Sequence, residues 1–421
     1  MERDEINSRR VAFSGGLLIS GNGDKPIADS FVLVKGNRIE EVGEKVNCDI
    51  PLDTVVFDIS RKTIMPGLMD AHTHNTVYGD VDLNQGIAKD YLSMRAIKSY
   101  LNFRKTLEAG ITTVREMGAF EYIDIAVRDL VNAGEIVGPR IIAAGKGINQ
   151  EGGHGSVCTS PPWVRLEIAQ VEVADGPSAC RKAVRKQVRM FCDVIKVWAS
   201  SGIYDPIGGG PRREFCDEEL RAIVDEAHSV KRKVAAHAHT PEAILACLKA
   251  GVDSIEHGMF INKECIQLMV EKNVYWVPTI SVMHNMAHGA NRGIMKSAVE
   301  NSIRAIEAQR KGFQEAMQLG VKIVMGTDSG GPLTYHGDNA FELELMNSWN
   351  LPEMDCIIAS TKNAAELLGI IDQVGTIEKG KLADFLIIDG NPLNNIKVLQ
   401  KKDKILLIMK EGEIVKNKIA S

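Results

Sequence analysis

The stretches LEAGITTV (107–114), LKAGVDSI (248–255) and MQLGVKIV (317–324) are three copies of one pattern: a helical end, a glycine, then an apolar run rich in β-branched residues. Glycine just past a helix accepts the left-handed backbone that ends it, and the β-branched run that follows favours an extended strand. Each copy therefore reads as helix, turn, strand. Further strands are predicted at 63–72 (TIMPGLMDAH), 140–144 (RIIAA), 193–200 (DVIKVWAS), 233–239 (KVAAHAH) and 274–280 (VYWVPTI). Amphipathic helical patterns lie between them, as in DEELRAIVDEAHSVK (217–231), and TPEAILACLKAG opens with Thr240 as N-cap and Pro241 in the first helical position. Eight strands alternating with helices over about 300 residues imply an α/β fold with a parallel sheet, closed into a (β/α)8 barrel rather than left open.

The ends of the chain read differently. The first 60 or so residues are short strands broken by turn signals (VAFSGGLLIS, GNGDKP, SFVLVKGNRIEEVG, TVVFDIS), and the last 50 or so repeat the style in GTIEKGKLADFLIID, GNPLNN and KILLIMKEGEIVKN. Strands from both ends are expected to pair in a small composite β-sandwich. The expected division is 1–65 sandwich, 66–370 barrel and 371–421 sandwich.

Composition narrows the function. The 421 residues are 44% hydrophobic and 25% charged, and no stretch approaches the roughly 18 consecutive apolar residues of a membrane span. The start, MERDEINSRR, carries no secretory apolar region, so a cytoplasmic location is expected. The formal net charge is −5, and the one dense basic run, CRKAVRKQVR (180–189), has the spacing of a solvated helix face; neither nucleic acid nor membrane is an expected partner. Eight scattered cysteines with no C-x-x-C pair point to reduced, mostly buried thiols.

In a barrel of this kind the active site forms at the C-terminal ends of the strands. Side chains two apart on a strand share a side, so His72 and His74 in PGLMDAHTHNT (66–76) converge on one point. The fourth predicted strand carries Lys196 in VIKVWA, the fifth ends with His237, the sixth with His257 in SIEHG, and the eighth with Asp328 in IVMGTDSGG. Taken singly, each has an ordinary structural explanation: a core histidine, a turn aspartate, a snorkelling lysine. Their coincidence at the strand ends of one barrel is the inventory of a metal site. Lys196, flanked by Val194, Ile195, Val197 and Trp198, is expected to be desolvated, which lowers a lysine pKa. A neutral amine there can capture CO2, giving a carbamate able to bridge two metals.

The segments PGLMDAHTH, GITTVRE, GGHG, IKVWASSG, VAAHAHTPEAI, AGVDSIEHG, GTDSGG and GTIEKGKLADFLIIDGNPL together resemble the amidohydrolase superfamily over nearly the whole chain, in particular the cytoplasmic Xaa-Pro dipeptidase and arginine or lysine carboxypeptidase group related to imidazolonepropionase. The resemblance implies a TIM barrel with a composite β-sandwich. It implies two Zn2+ ions, other divalent metals being acceptable, with His72, His74 and Asp328 on one and His237 and His257 on the other. Carboxylated Lys196 and a hydroxide would bridge them. Hydroxide would attack the amide carbon of a small-molecule substrate, with Asp328 as general base and then general acid. The implied substrate is a small dipeptide or N-acyl amino acid. Rival readings are a related hydrolase of cyclic amides, aryl amides or xenobiotics and, more remotely, a non-catalytic scaffold. Relatives imply a homo-oligomer.

Substrate contacts are expected from five residues. His154 in GGHG and His239 match positions that face substrate in relatives, although position 239 is often Tyr in the dipeptidases. Arg115, ending the second strand, either clamps a substrate carboxylate or pairs with an acid near the barrel mouth. Tyr204 and Arg212 lie, with Arg213, in the glycine-rich loop SSGIYDPIGGGPRREF, which reads as a lid. His284 and His288 in HNMAH lack the glutamate of H-E-x-x-H and are expected in an exposed loop.

Overall fold

A computed structural model describes residues 10–81, 89–155, 170–203 and 211–419. One sandwich sheet sets the strands Arg38–Glu44, Ser30–Lys35, Arg10–Ser14 and Thr54–Asp58 side by side. The other, ordered Glu413–Asn417, Ile405–Lys410, Phe385–Ile388, Thr63–Pro66, Leu17–Leu18, draws on both ends of the chain. Its join is antiparallel, with Phe385 opposite Pro66 and Ile388 opposite Thr63. Phe13 bridges the two sheets, its ring 5.3 Å from Phe57 and 5.0 Å from Phe385, within a core that includes Val32, Ile64, Ile387 and Leu407.

The segment 63–72, expected as one barrel strand, is two. Thr63–Pro66 belongs to the sandwich and Leu68–Thr73 to the barrel. The chain changes layer at Gly67, where an added Cβ would stand 2.2 Å from Thr112 Oγ1, so any side chain there collides with the neighbouring strand.

Parallel pairing then runs around the barrel. Leu68–Thr73 pairs with Ile111–Glu116, which pairs with Arg140–Ala143. The same stretch of chain continues as Gly147–Asn149 and meets Val194–Trp198 through Ile148 and Val197. Lys233–Ala238, Ser254–His257 and Tyr275–Val277 follow in register. The eighth segment makes individual bonds rather than a regular ladder. Trp276 N donates to Lys322 O (3.0 Å) and Val324 N to Trp276 O (2.9 Å), while Ala71 N donates to Met325 O (2.9 Å). These bonds tie the segment to its neighbours on both sides.

The repeat reads as expected. Gly110, Gly251 and Gly320 take φ of 88°, 97° and 82°, each at the end of a helix. Thr240 Oγ1 accepts from Ala243 N at 3.3 Å and so caps Pro241–Ala250. The last helix of the repeat, Lys296–Leu319, stops at Gly320 as its sequence suggests, and the apolar run that follows pairs with Trp276. Among the described residues no disulfide forms; Cys180, Cys192, Cys247, Cys265 and Cys356 are buried thiols. No described helix is long and apolar enough to cross a membrane.

Candidate metal centre

His72 and His74 sit where the Leu68–Thr73 strand leaves the barrel, and each imidazole is held by its Nδ1. His72 Nδ1 lies 2.6 Å from Glu256 Oε2, and His74 Nδ1 lies 3.2 Å from Gly118 O. With Nδ1 occupied, each ring presents Nε2 to a common point. Asp328 Oδ1 stands 3.6 Å from His72 Nε2 and 3.3 Å from His74 Nε2. One donor atom from each of the three residues falls within 4.8 Å of the others.

The remaining candidates close around this point. The His257 ring lies 4.7 Å from that of His72 and 4.6 Å from that of His237. His257 Nδ1 is 2.7 Å from Thr279 Oγ1, the same mode of support used for His72 and His74. Lys196, on the strand beside His237, is buried, with its Nζ 5.5 Å from the Trp198 ring centre. His257, Thr279 and Asp328 all have positive φ, at 68°, 48° and 59°. Such backbone costs of the order of 1–3 kcal/mol per residue and persists where surrounding contacts impose it.

Burial governs the charges. It holds His72, His237 and His257 well below the ordinary imidazole value and His74 at about 3, so the rings are neutral with free lone pairs. It also pushes the Lys196 amine down to about 8 and the Asp328 carboxyl up to about 6. His72 Nε2, His237 Nε2 and Lys196 Nζ are buried without any hydrogen-bond partner. Three orphaned polar atoms in one place cost about 1–3 kcal/mol each. Four neutral imidazoles, a carboxylate and an amine of lowered basicity form a donor set that fits divalent cations and satisfies those atoms.

The amidohydrolase family pattern matches residues 63–415. The chain belongs to that family. This amidohydrolase is 30% identical to the ochratoxinase of Aspergillus niger over 95% of its own length and 85% of the relative's. Its structure is similar to a Xaa-Pro dipeptidase with methionine bound in the active site, at 32% identity and a TM-score of 0.88, covering 97% of this chain and 100% of the other. It is also similar to a prolidase complexed with N-methylphosphonate-L-proline, at 30% identity and a TM-score of 0.87, with 97% and 100% covered. The chain is a hydrolytic enzyme acting on amide bonds.

The substrate candidates of the amidohydrolase separate into three groups. His154 and His239 lie at the centre, their rings 4.6 Å and 4.4 Å from that of His237. Of the two readings expected for Arg115, the structure shows the pair with an acid and not the clamp at the mouth. Arg115 lies in the barrel interior at 2% exposure, with Nε on Ala71 O (2.6 Å), one terminal nitrogen on Ser254 Oγ (3.2 Å) and the other on Glu256 Oε1 (2.8 Å). An arginine whose three nitrogens are all engaged inside the barrel has none to offer at its mouth. Arg212 is exposed, and its backbone exchanges hydrogen bonds with Ser201. Tyr204 lies outside the described residues. His336 joins the first and eighth loops of the family barrel, its Nε2 2.8 Å from Val77 O.

Sequence reasoning passed over the supports. Glu256 precedes His257 in SIEHG and looks like a strand residue, yet it contacts His72, Arg115 and Ser254 together. Asp70 accepts from Thr327 Oγ1 (2.6 Å), Asn339 Nδ2 (2.7 Å) and the backbone N of His72 (3.0 Å), tying the strand that carries His72 to the segment that carries Asp328. The available signal was alternation: Asp70 and His72 are two apart, as are Ser254 and Glu256, so each pair shares a face.

Proposed function

We propose that this amidohydrolase binds two divalent cations, zinc in the first instance, and hydrolyses the amide bond of a small dipeptide or N-acyl amino acid. The observation that carries the reading is the set of buried, unpartnered His72 Nε2, His237 Nε2 and Lys196 Nζ beside Asp328. His72, His74 and Asp328 would hold one cation and His237 and His257 the other, with Lys196, as its CO2-derived carbamate, between them. Such a pair lowers the pKa of a shared water and polarises the scissile carbonyl.

The chain's own groups supply the rest. The neutral imidazoles lose no proton on binding a cation, and Glu256, Gly118 O and Thr279 fix their orientation. Asp328 sits at the junction of the two histidines, with a carboxyl raised to about 6 by burial. It takes the proton of the attacking water and returns it to the leaving nitrogen, a role worth about 10²- to 10⁴-fold. His154 and His239, ranged along His237, orient the acyl group.

A second reading, an aryl amide as substrate, draws on the similarity to an ochratoxinase and on the apolar cluster of Ile203, Met259, Val282, Met283, Met286 and Leu333 beyond the strand ends. A library of dipeptides, N-acyl amino acids and aryl-amide conjugates, offered to the zinc-loaded protein, decides between them. Release of a free amino acid from dipeptides supports the first reading. Turnover confined to aryl amides supports the second, and no amide hydrolysis by a fully loaded protein overturns both.

A further inference from the structure

The sequence HNMAH (284–288) is not an exposed loop. His284 lies on the helix Ile280–Ala287 and His288 is its C-cap residue, so the i, i+4 spacing places both imidazoles on one helix face. Their ring centres are 4.3 Å apart with planes inclined at 31°. Two imidazoles sharing one ion through bonds of about 2.0–2.1 Å need ring centres within about 5 Å of each other. The observed separation meets that requirement.

Three further features fit the pair to a metal. The Nδ1 of His288 lies 2.8 Å from the backbone oxygen of His284 and donates to it, which leaves Nε2 as the free lone pair. A ligating histidine is commonly held in this way. His284 is pinned edge-on against Phe341, ring centres 5.4 Å apart, so its direction is set by packing. Burial and the neighbouring His288 both lower its basicity, keeping the ring neutral, while Glu344, one turn beyond Phe341, adds negative field.

We propose that His284 and His288 form a second, separate binding site for one imidazole-preferring divalent ion, Cu2+ most tightly and Ni2+ or Zn2+ more weakly, completed by solvent. The order follows the general affinity series for such ligands. The site is independent of the six residues between the strand ends. Occupancy would staple the last turn of the helix to its C-cap. Ser281, in the first turn of the same helix, is bonded to Glu342 through its backbone N at 2.8 Å.

The test uses the full chain with its main site already loaded with zinc. Titration with Cu2+, followed by electron paramagnetic resonance and by metal analysis after desalting, should show one added equivalent with nitrogen hyperfine structure. His288→Asn should weaken that equivalent at least tenfold and leave both zinc content and amide hydrolysis unchanged; His284→Gln should do the same. If His288 serves only as a helix cap, the wild-type protein takes up no added ion, or both variants bind it as tightly as wild type. Either result overturns the proposal while leaving the amide-hydrolase reading intact.

Discussion

Glu256 Oε2 lies 2.6 Å from His72 Nδ1 while its other oxygen accepts from Arg115 at 2.8 Å, so a single buried carboxylate joins a ligand candidate to a barrel-interior guanidinium. The arrangement fixes the tautomer of His72, strengthens its Nε2 as a donor and neutralises Arg115 in one contact. Changing Glu256→Gln keeps the shape and removes the charge. Metal affinity should fall about 10- to 100-fold, as it does when outer carboxylates of this type are lost. Arg115 would also be left buried and uncompensated, at a cost of about 3–5 kcal/mol. Competition with a chromogenic chelator and urea unfolding measure the two effects; unchanged metal affinity in a folded variant refutes the buttress.

Asp328 stands 3.3 Å from His74 Nε2 and 3.6 Å from His72 Nε2, with its backbone N bonded to His72 O at 2.8 Å. In the proposed mechanism its side chain serves both metal binding and proton transfer. In Asp328→Asn an oxygen remains to coordinate, but the group no longer accepts and returns a proton. Turnover should drop about 10²- to 10⁴-fold with metal content preserved. Metal analysis run beside steady-state kinetics separates the roles, and near-normal kcat at full occupancy would remove Asp328 from the mechanism.

Much of this site is legible in the sequence, and for a definable reason. His72, His74, His237, His257 and Asp328 terminate apolar runs, and a polar residue at the end of a barrel strand has few structural uses. Lys196 stands out because a cation between Ile195 and Val197 contradicts its surroundings. Arg115 and Glu256 are not legible in the same way. Each looks like an ordinary charged residue, and their meaning lies in contacts across 141 residues of chain, which no local pattern encodes. The eighth segment is placed by its helix–glycine–strand pattern, but the form of its pairing is not legible. It pairs through scattered bonds such as Trp276 with Lys322 and Ala71 with Met325 rather than through a regular ladder, which its β-branched run does not reveal. The fused reading of 63–72 failed at Gly67, where a steric requirement from Thr112 interrupts a continuous apolar pattern.

Metal uptake should depend on pH through two groups only. The imidazoles are already neutral, whereas Asp328 must be ionised and Lys196 must be a free amine to take up CO2. Protons compete with metal at Asp328, so apparent affinity should fall by about tenfold per pH unit below about 6. Protonation of Lys196 below about 8 should slow bicarbonate-dependent reactivation of metal-free protein. Recovery of activity after adding Zn2+, followed from pH 5 to pH 9 with and without bicarbonate, tests both signs. Reactivation that ignores bicarbonate and is fastest at low pH would exclude the carbamate.

Gly147 faces Trp198 so closely that an added Cβ would lie 2.2 Å from the indole ring, while that ring's centre is 5.5 Å from Lys196 Nζ. Gly147→Ala must therefore push the indole out of its place beside the lysine. Overpacking of this kind costs about 1–3 kcal/mol, sometimes more. Because the strain arises from one contact, its size should depend on what occupies position 198. In a Trp198→Phe background the smaller ring leaves room for the methyl group, and Gly147→Ala should there be nearly neutral. Urea unfolding of the four proteins in this double-mutant cycle reads the coupling directly. If the two substitutions are additive, Gly147 is not kept small by Trp198.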